Sequence, residues 1–126
     1  YAVDEADFVM IMFNVNHFEL FRENYGHEWT VHLLRHIAHI MQDIVGVKGI
    51  AGRLYTDHFM IVRQFKKEEE IKEIIGEIED QVEAITEIDG AICSIYLNRS
   101  YTIFSNAKDL QVMYEETEKG LKAKGH

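Results

Sequence analysis

The sequence predicts an α+β sandwich: a central, mostly antiparallel sheet flanked by helices, in the ferredoxin-like order β-α-α-β-β-α-β-α. Three observations carry this. Residues 8–15 (FVMIMFNV) and 91–97 (AICSIYL) are short, nearly continuous apolar runs, the pattern of strands buried on both faces. Residues 48–53 and 58–64 are two strand-length runs joined closely enough to pair as a hairpin. Residues 28–45 and 66–87 repeat apolar side chains every three and four positions, the period of a helix with one buried face.

Each element has its own local reasons. Residues 1–7 are polar and carry three acids, and the first strand, 8–15, follows them. Asn16 is placed to cap a short helix over 17–24, with Glu19 as its capping-box partner and Gly26 as the terminating glycine. In the helix over 28–45, Leu34, Ile37, Ala38, Met41 and Ile44 form the core stripe, and Gly46 ends it. In the second hairpin strand Phe59 and Ile61 point one way, Met60 and Val62 the other. The helix over 66–87 buries Ile71, Ile74, Ile75, Ile78, Val82 and Ile85 and leaves Glu and Lys outside. Asp89-Gly90 is a turn, 91–97 a buried strand and 98–105 a polar loop. A last helix over 107–122 is capped by Ser105 or Asn106.

At 126 residues, 47% of them hydrophobic, the chain is expected to be one domain spanning 1–126, without a disordered or membrane-spanning part. It does not begin with Met and is expected to be a fragment of a longer, multidomain protein. The net charge of −9 argues against nucleic acid as a partner, which requires a basic face. No apolar run is long enough to span a membrane, so no membrane contact by this segment is expected. The one cysteine, Cys93, sits in an apolar run, reads as core packing and fits a cytoplasmic protein. The full-length protein could still be membrane-anchored.

The stretch Arg53-Leu54-Tyr55-Thr56-Asp57-His58-Phe59 is the odd one. A tight hairpin turn favours Gly or Asn where φ is positive, and Tyr55 and Thr56 stand there. This hairpin resembles the "R-x-G-G-D-E-F" hairpin of the GGDEF, or diguanylate cyclase, domain, keeping Arg53, Asp57 and Phe59. Two further stretches agree. Asn14-Val15-Asn16-His17-Phe18 with Tyr25-Gly26-His27 resembles the family's "D-x-D-h-F … y-G-H" segment. Residues 121–125 resemble its final helix end. The resemblance covers nearly the whole chain and implies the nucleotidyl-cyclase fold.

The family joins two GTP molecules into cyclic di-GMP with two bridging metal ions, usually Mg²⁺. That chemistry needs hard oxygen ligands and a backbone free to approach phosphates. The resemblance places Asn14, Asp57 and His58 at metal positions and Arg22 and Val31 at the guanine-contacting positions. It makes Lys122 and Lys124 candidate phosphate contacts. Apart from Asp57, the matched metal, guanine and hairpin-glycine positions are replacements, Arg22 and Val31 among them. Asn14 and Asn16 stand for acids, Tyr55 and Thr56 for glycines, and His58 for the acid after Asp57. The R-x-x-D product-inhibition motif would span Gly46 to Gly49 and is missing. The expectation is a degenerate hairpin, Tyr55, Thr56, Asp57 and His58, with no catalytic residue set intact. Asp57 reads as a turn residue bonded to backbone, and His58 with Asn14 and Asn16 as polar remnants at strand ends.

The expected function is therefore that of a catalytically inactive domain with a regulatory, dimerisation or sensing role in bacterial cyclic di-GMP signalling. It would act on an attached sensor or EAL phosphodiesterase domain, or form a homodimer. The alternative is a residual diguanylate or other nucleotidyl cyclase with altered metal use. No cofactor is expected, with Mg²⁺ or Mn²⁺ entering only if binding of GTP or cyclic di-GMP survives. His32, His36 and His39 share one helical face. Their spacing suits Zn²⁺ or Ni²⁺, but a solvated or interface face is the expected reading.

Overall fold

The computed structural model describes residues 7–105 and 110–124. In chain order its elements are β1 (Asp7–Val15), α1 (Phe18–Tyr25), α2 (His27–Val45), β2 (Gly49–Tyr55), β3 (His58–Phe65) and α3 (Glu68–Glu83). The small strands β4 (Glu87–Ile88) and β5 (Ala91–Ile92) follow, then β6 (Leu97–Phe104) and α4 (Leu110–Lys124). Four strands form one antiparallel sheet in the order β2-β3-β1-β6, and β4 and β5 form a separate hairpin. The class is the expected α+β sandwich.

The apolar run in β1 has its cause in the register. β1 lies inside the sheet, paired through Ile11 with Ile61 of β3 and Tyr101 of β6. Val9, Ile11, Phe13 and Val15 face one layer, formed with Phe59, Ile61 and the buried stripes of α2 and α3. Met10 and Met12 face the other, with Phe104 and Leu121 of α4. From Val9 to Phe13 both faces of β1 are dry, and that stretch is wholly apolar.

The C-terminal third departs from expectation. The run 91–97 is not one buried strand. Ala91–Ile92 pair with β4 and Leu97 starts the next strand, while Cys93 and Ile95 between them are buried as irregular chain. Burial raises the Cys93 thiol pKa above its ordinary value. The sheet strand is instead Leu97–Phe104, where a polar loop was expected. Two of its inward residues, Ser100 and Thr102, are polar because of what they meet on α4. The Thr102 and Thr117 hydroxyls share a hydrogen bond of 2.7 Å. Ser100 packs beneath Gly120, where a Cβ would come within 2.4 Å of Ser100 Oγ. A strand that faces small and hydroxylated residues carries no apolar alternation.

Smaller corrections concern the ends. Asn16 does not cap α1. His17 holds that position with φ 59°, without a side-chain cap bond, and the Asn16 N–H donates to the Tyr96 carbonyl at 2.8 Å. Gly26 and Gly46 end α1 and α2 as expected. α3 begins at Glu68, where the Glu70 carboxylate accepts the Lys66 and Lys67 backbone N–H groups at 3.1 and 2.9 Å. Those bonds hold its pKa below the ordinary value. The helix stops at Glu83 rather than 87, yet Ile85 remains in the core. Ser105 bonds Asp7 at 2.8 Å. Asn106, the expected start of the last helix and Gly125 lie outside the described residues. Among the described residues no helix is long and apolar enough to cross a membrane.

Candidate functional site

At one end of the sheet, the C-terminus of β1, the start of α1, the β2–β3 turn and the end of α4 enclose a cleft of about 650 Å³. Asn14, His17, Leu20, Asp57, His58 and Lys122 are among its walls. Residues 14, 57, 58 and 122 are far apart in sequence, and the antiparallel pairing of β1 with β3 brings the first three together. The geometry shows how its donors are occupied.

Asp57 is buried. Its Oδ2 accepts the backbone N–H of Val15 at 3.0 Å, which fastens the hairpin turn to the end of β1. Its Oδ1 lies 3.2 Å from the Thr56 hydroxyl and 3.5 Å from His58 Nδ1. The turn also uses Arg53, whose guanidinium donates to the Thr56 carbonyl at 3.0 Å. Of the two positions expected to need positive φ, only Thr56 has it, at 42°. Tyr55 lies within β2 and pairs with His58.

Tyr55 does more than replace a small residue. Its ring stacks on His58 with centroids 4.5 Å apart and planes 16° from parallel. Its hydroxyl donates to Glu118 Oε2 of α4 at 2.6 Å. That bond, with lesser contributions from burial and from the negative charge of Glu118, pushes the phenol pKa up to about 12. Lys122 is exposed, its Nζ 3.9 Å from Glu118 Oε1. Tyr55 therefore ties the hairpin to α4. Glu118 had no signal in the sequence, since its partner is 63 positions away.

The other expected positions are engaged elsewhere or lie outside the cleft. Asn14 Oδ1 accepts from Asn98 Nδ2 at 2.9 Å across β1 and β6. Asn98 was hidden within the segment read as a loop. Arg22 is paired with Glu19, and its guanidinium lies 5.8 Å from the Phe18 ring centroid. Val31 is half-buried on α2. Neither Arg22 nor Val31 lines the cleft. Lys124 is the last residue of α4. His32, His36 and His39 line a separate groove between α2 and α3. Among the described residues no group of three or more His, Cys, Asp or Glu side chains is arranged to hold a metal.

A cleft lined by the buried Asp57 carboxylate, the Glu19 carboxylate, the Asn14 amide, the His17 and His58 imidazoles and Lys122 can position a polar ligand by hydrogen bonds. Its two carboxylates are engaged, Asp57 with the Val15 N–H and Glu19 with Arg22, and among the described residues no larger ligating group suits a hard divalent ion.

A family profile described as "Diguanylate cyclase, GGDEF domain" matches residues 2–124. Several solved structures share the fold. The active GGEEF domain of a diguanylate cyclase from Vibrio cholerae is 18% identical, with a TM-score of 0.79 over 93% of this chain and 75% of that one. The GGDEF domain of DgcB from Caulobacter crescentus, solved in complex with c-di-GMP, is 14% identical, with a TM-score of 0.84 over 94% and 71%. The FimX GGDEF domain from Pseudomonas aeruginosa is 16% identical, with a TM-score of 0.78 over 96% and 78%. Comparison with curated protein sequences gave no match.

Proposed function

We propose that this chain, which belongs to the diguanylate cyclase GGDEF domain family, is a catalytically silent member of it. Its role is regulatory, dimerising or sensing in bacterial cyclic di-GMP signalling in the cytoplasm. It acts on an attached domain such as an EAL phosphodiesterase.

One observation carries the reading: the remaining polar groups at the metal and phosphate positions are used to hold the fold. Asp57 accepts a buried backbone N–H, Asn14 bonds Asn98, and Tyr55 binds the hairpin to Glu118. The donors do not suit a pair of Mg²⁺ ions, which call for carboxylates. An amide brings no charge, and imidazole favours softer metals. Tyr55 also stands where the family's hairpin has a glycine, the residue that lets backbone approach phosphates closely.

A second reading, a residual cyclase of altered metal use, draws on the cleft itself. It remains open, with Lys122 and His58 in its wall. Calorimetric titration with GTP and with cyclic di-GMP, in Mg²⁺ and then in Mn²⁺, separates the readings. The silent, structural role predicts no saturable heat with either nucleotide. Saturable GTP binding without product would make the domain a GTP sensor, and binding with product would restore the cyclase.

A further inference from the structure

A second candidate site lies on the exposed face of α2, away from the cleft. His32 and His36 are four residues apart on one helical face, so their Cβ atoms are about 5–6 Å apart. Both line the groove of about 540 Å³ between α2 and α3, with Arg35, His39, Asp43 and Gln81. Two histidines at this spacing form the chelating half of helical zinc sites. Spacing alone is weak, but the structure adds a second observation. The β4–β5 turn presents Asp89 to His32, and the carboxylate bonds the ring at Nδ1. Asp89 reaches this place in a left-handed conformation, φ 51°, followed by Gly90 at φ 83°.

A carboxylate at Nδ1 holds the proton on that nitrogen and leaves the Nε2 lone pair free. This is the carboxylate–histidine pairing that orients imidazole ligands and raises their basicity at metal centres. We infer that His32 and His36 chelate one borderline divalent transition ion, Zn²⁺ or Ni²⁺, with Asp89 as the orienting carboxylate behind His32. Only two protein side chains ligate it, in keeping with the lack of any three-ligand cluster among the described residues. Water completes the coordination. Imidazole nitrogens select against Mg²⁺. This inference does not depend on whether the cleft binds nucleotide.

Titration of the purified chain with ZnCl₂ or NiCl₂ alone, followed by calorimetry, tests it. Saturable binding of one ion per chain is expected, with none for MgCl₂. His36→Ala should abolish it. His39→Ala should leave it within about threefold. Asp89→Asn should keep the stoichiometry and weaken affinity by about 10- to 100-fold. Circular dichroism checks that each variant folds. No saturable binding by the wild type, or wild-type affinity in a folded His36→Ala chain, would overturn the site. Unchanged affinity in Asp89→Asn would overturn the role given to Asp89.

Discussion

Two hairpin turns of this chain solve the same geometric problem in opposite ways. At Asp89-Gly90 both central residues have positive φ, 51° and 83°, and the residues suit it: aspartate tolerates the left-handed region and glycine has no Cβ to clash. At Thr56-Asp57 the local chemistry is poor. Thr56 sits at φ 42°, and three side chains supply what the turn residues do not. Arg53 closes the turn on the Thr56 carbonyl, Asp57 anchors it to β1, and Tyr55 anchors it to α4. The first turn suits its own residues, while the second also leans on bonds to β1 and α4. In the family's pattern the second would have glycines, and its acids would be free for metal.

Breaking the tertiary anchors should therefore cost more than altering the turn residue they support. The largest effect is expected for Asp57→Ala, which leaves the Val15 N–H buried without a partner. Urea denaturation should show a loss of about 1–3 kcal/mol. Gly90→Ala should follow at about 1–2 kcal/mol, the cost of forcing a Cβ into the left-handed region. No atom lies within 4 Å of the added methyl, so the cost is one of backbone alone.

Tyr55→Phe should cost less, below about 1 kcal/mol, because the pair with Glu118 is largely exposed. Its signature is the pH dependence. The folded phenol pKa is raised from 10.0 to about 12. Its contribution is thus fully present below pH 10 and is lost as pH rises from about 10 to 12. The wild type should lose stability relative to Tyr55→Phe across that window. Thr56→Gly should change stability least, within about 0.5 kcal/mol. Relief of the left-handed backbone is offset by greater freedom in the unfolded chain. A gain of several kcal/mol would mean that the turn residue, not its anchors, governs the hairpin.

The same division explains what the sequence disclosed. β1, α2 and β3 were legible because apolar period and burial agree there. The strand Leu97–Phe104 was not, because Ser100, Thr102 and their partners on α4 replace apolar alternation with small and hydroxyl contacts. Of the remnants Arg53, Asp57 and Phe59, Asp57 lines the cleft. The use of the cleft's side chains was not legible, since Val15, Asn98 and Glu118 are brought in only by sheet register and helix packing. Asp89 and His32, 57 positions apart, were equally hidden from each other.

The central claim is that the scaffold persists while its phosphate chemistry does not. Incubation of the purified chain with GTP, in Mg²⁺ and separately in Mn²⁺, followed by chromatographic detection of cyclic di-GMP, tests it most directly. No cyclic di-GMP above the protein-free control is predicted with either ion. Product that accumulates with time and in proportion to protein concentration would contradict it.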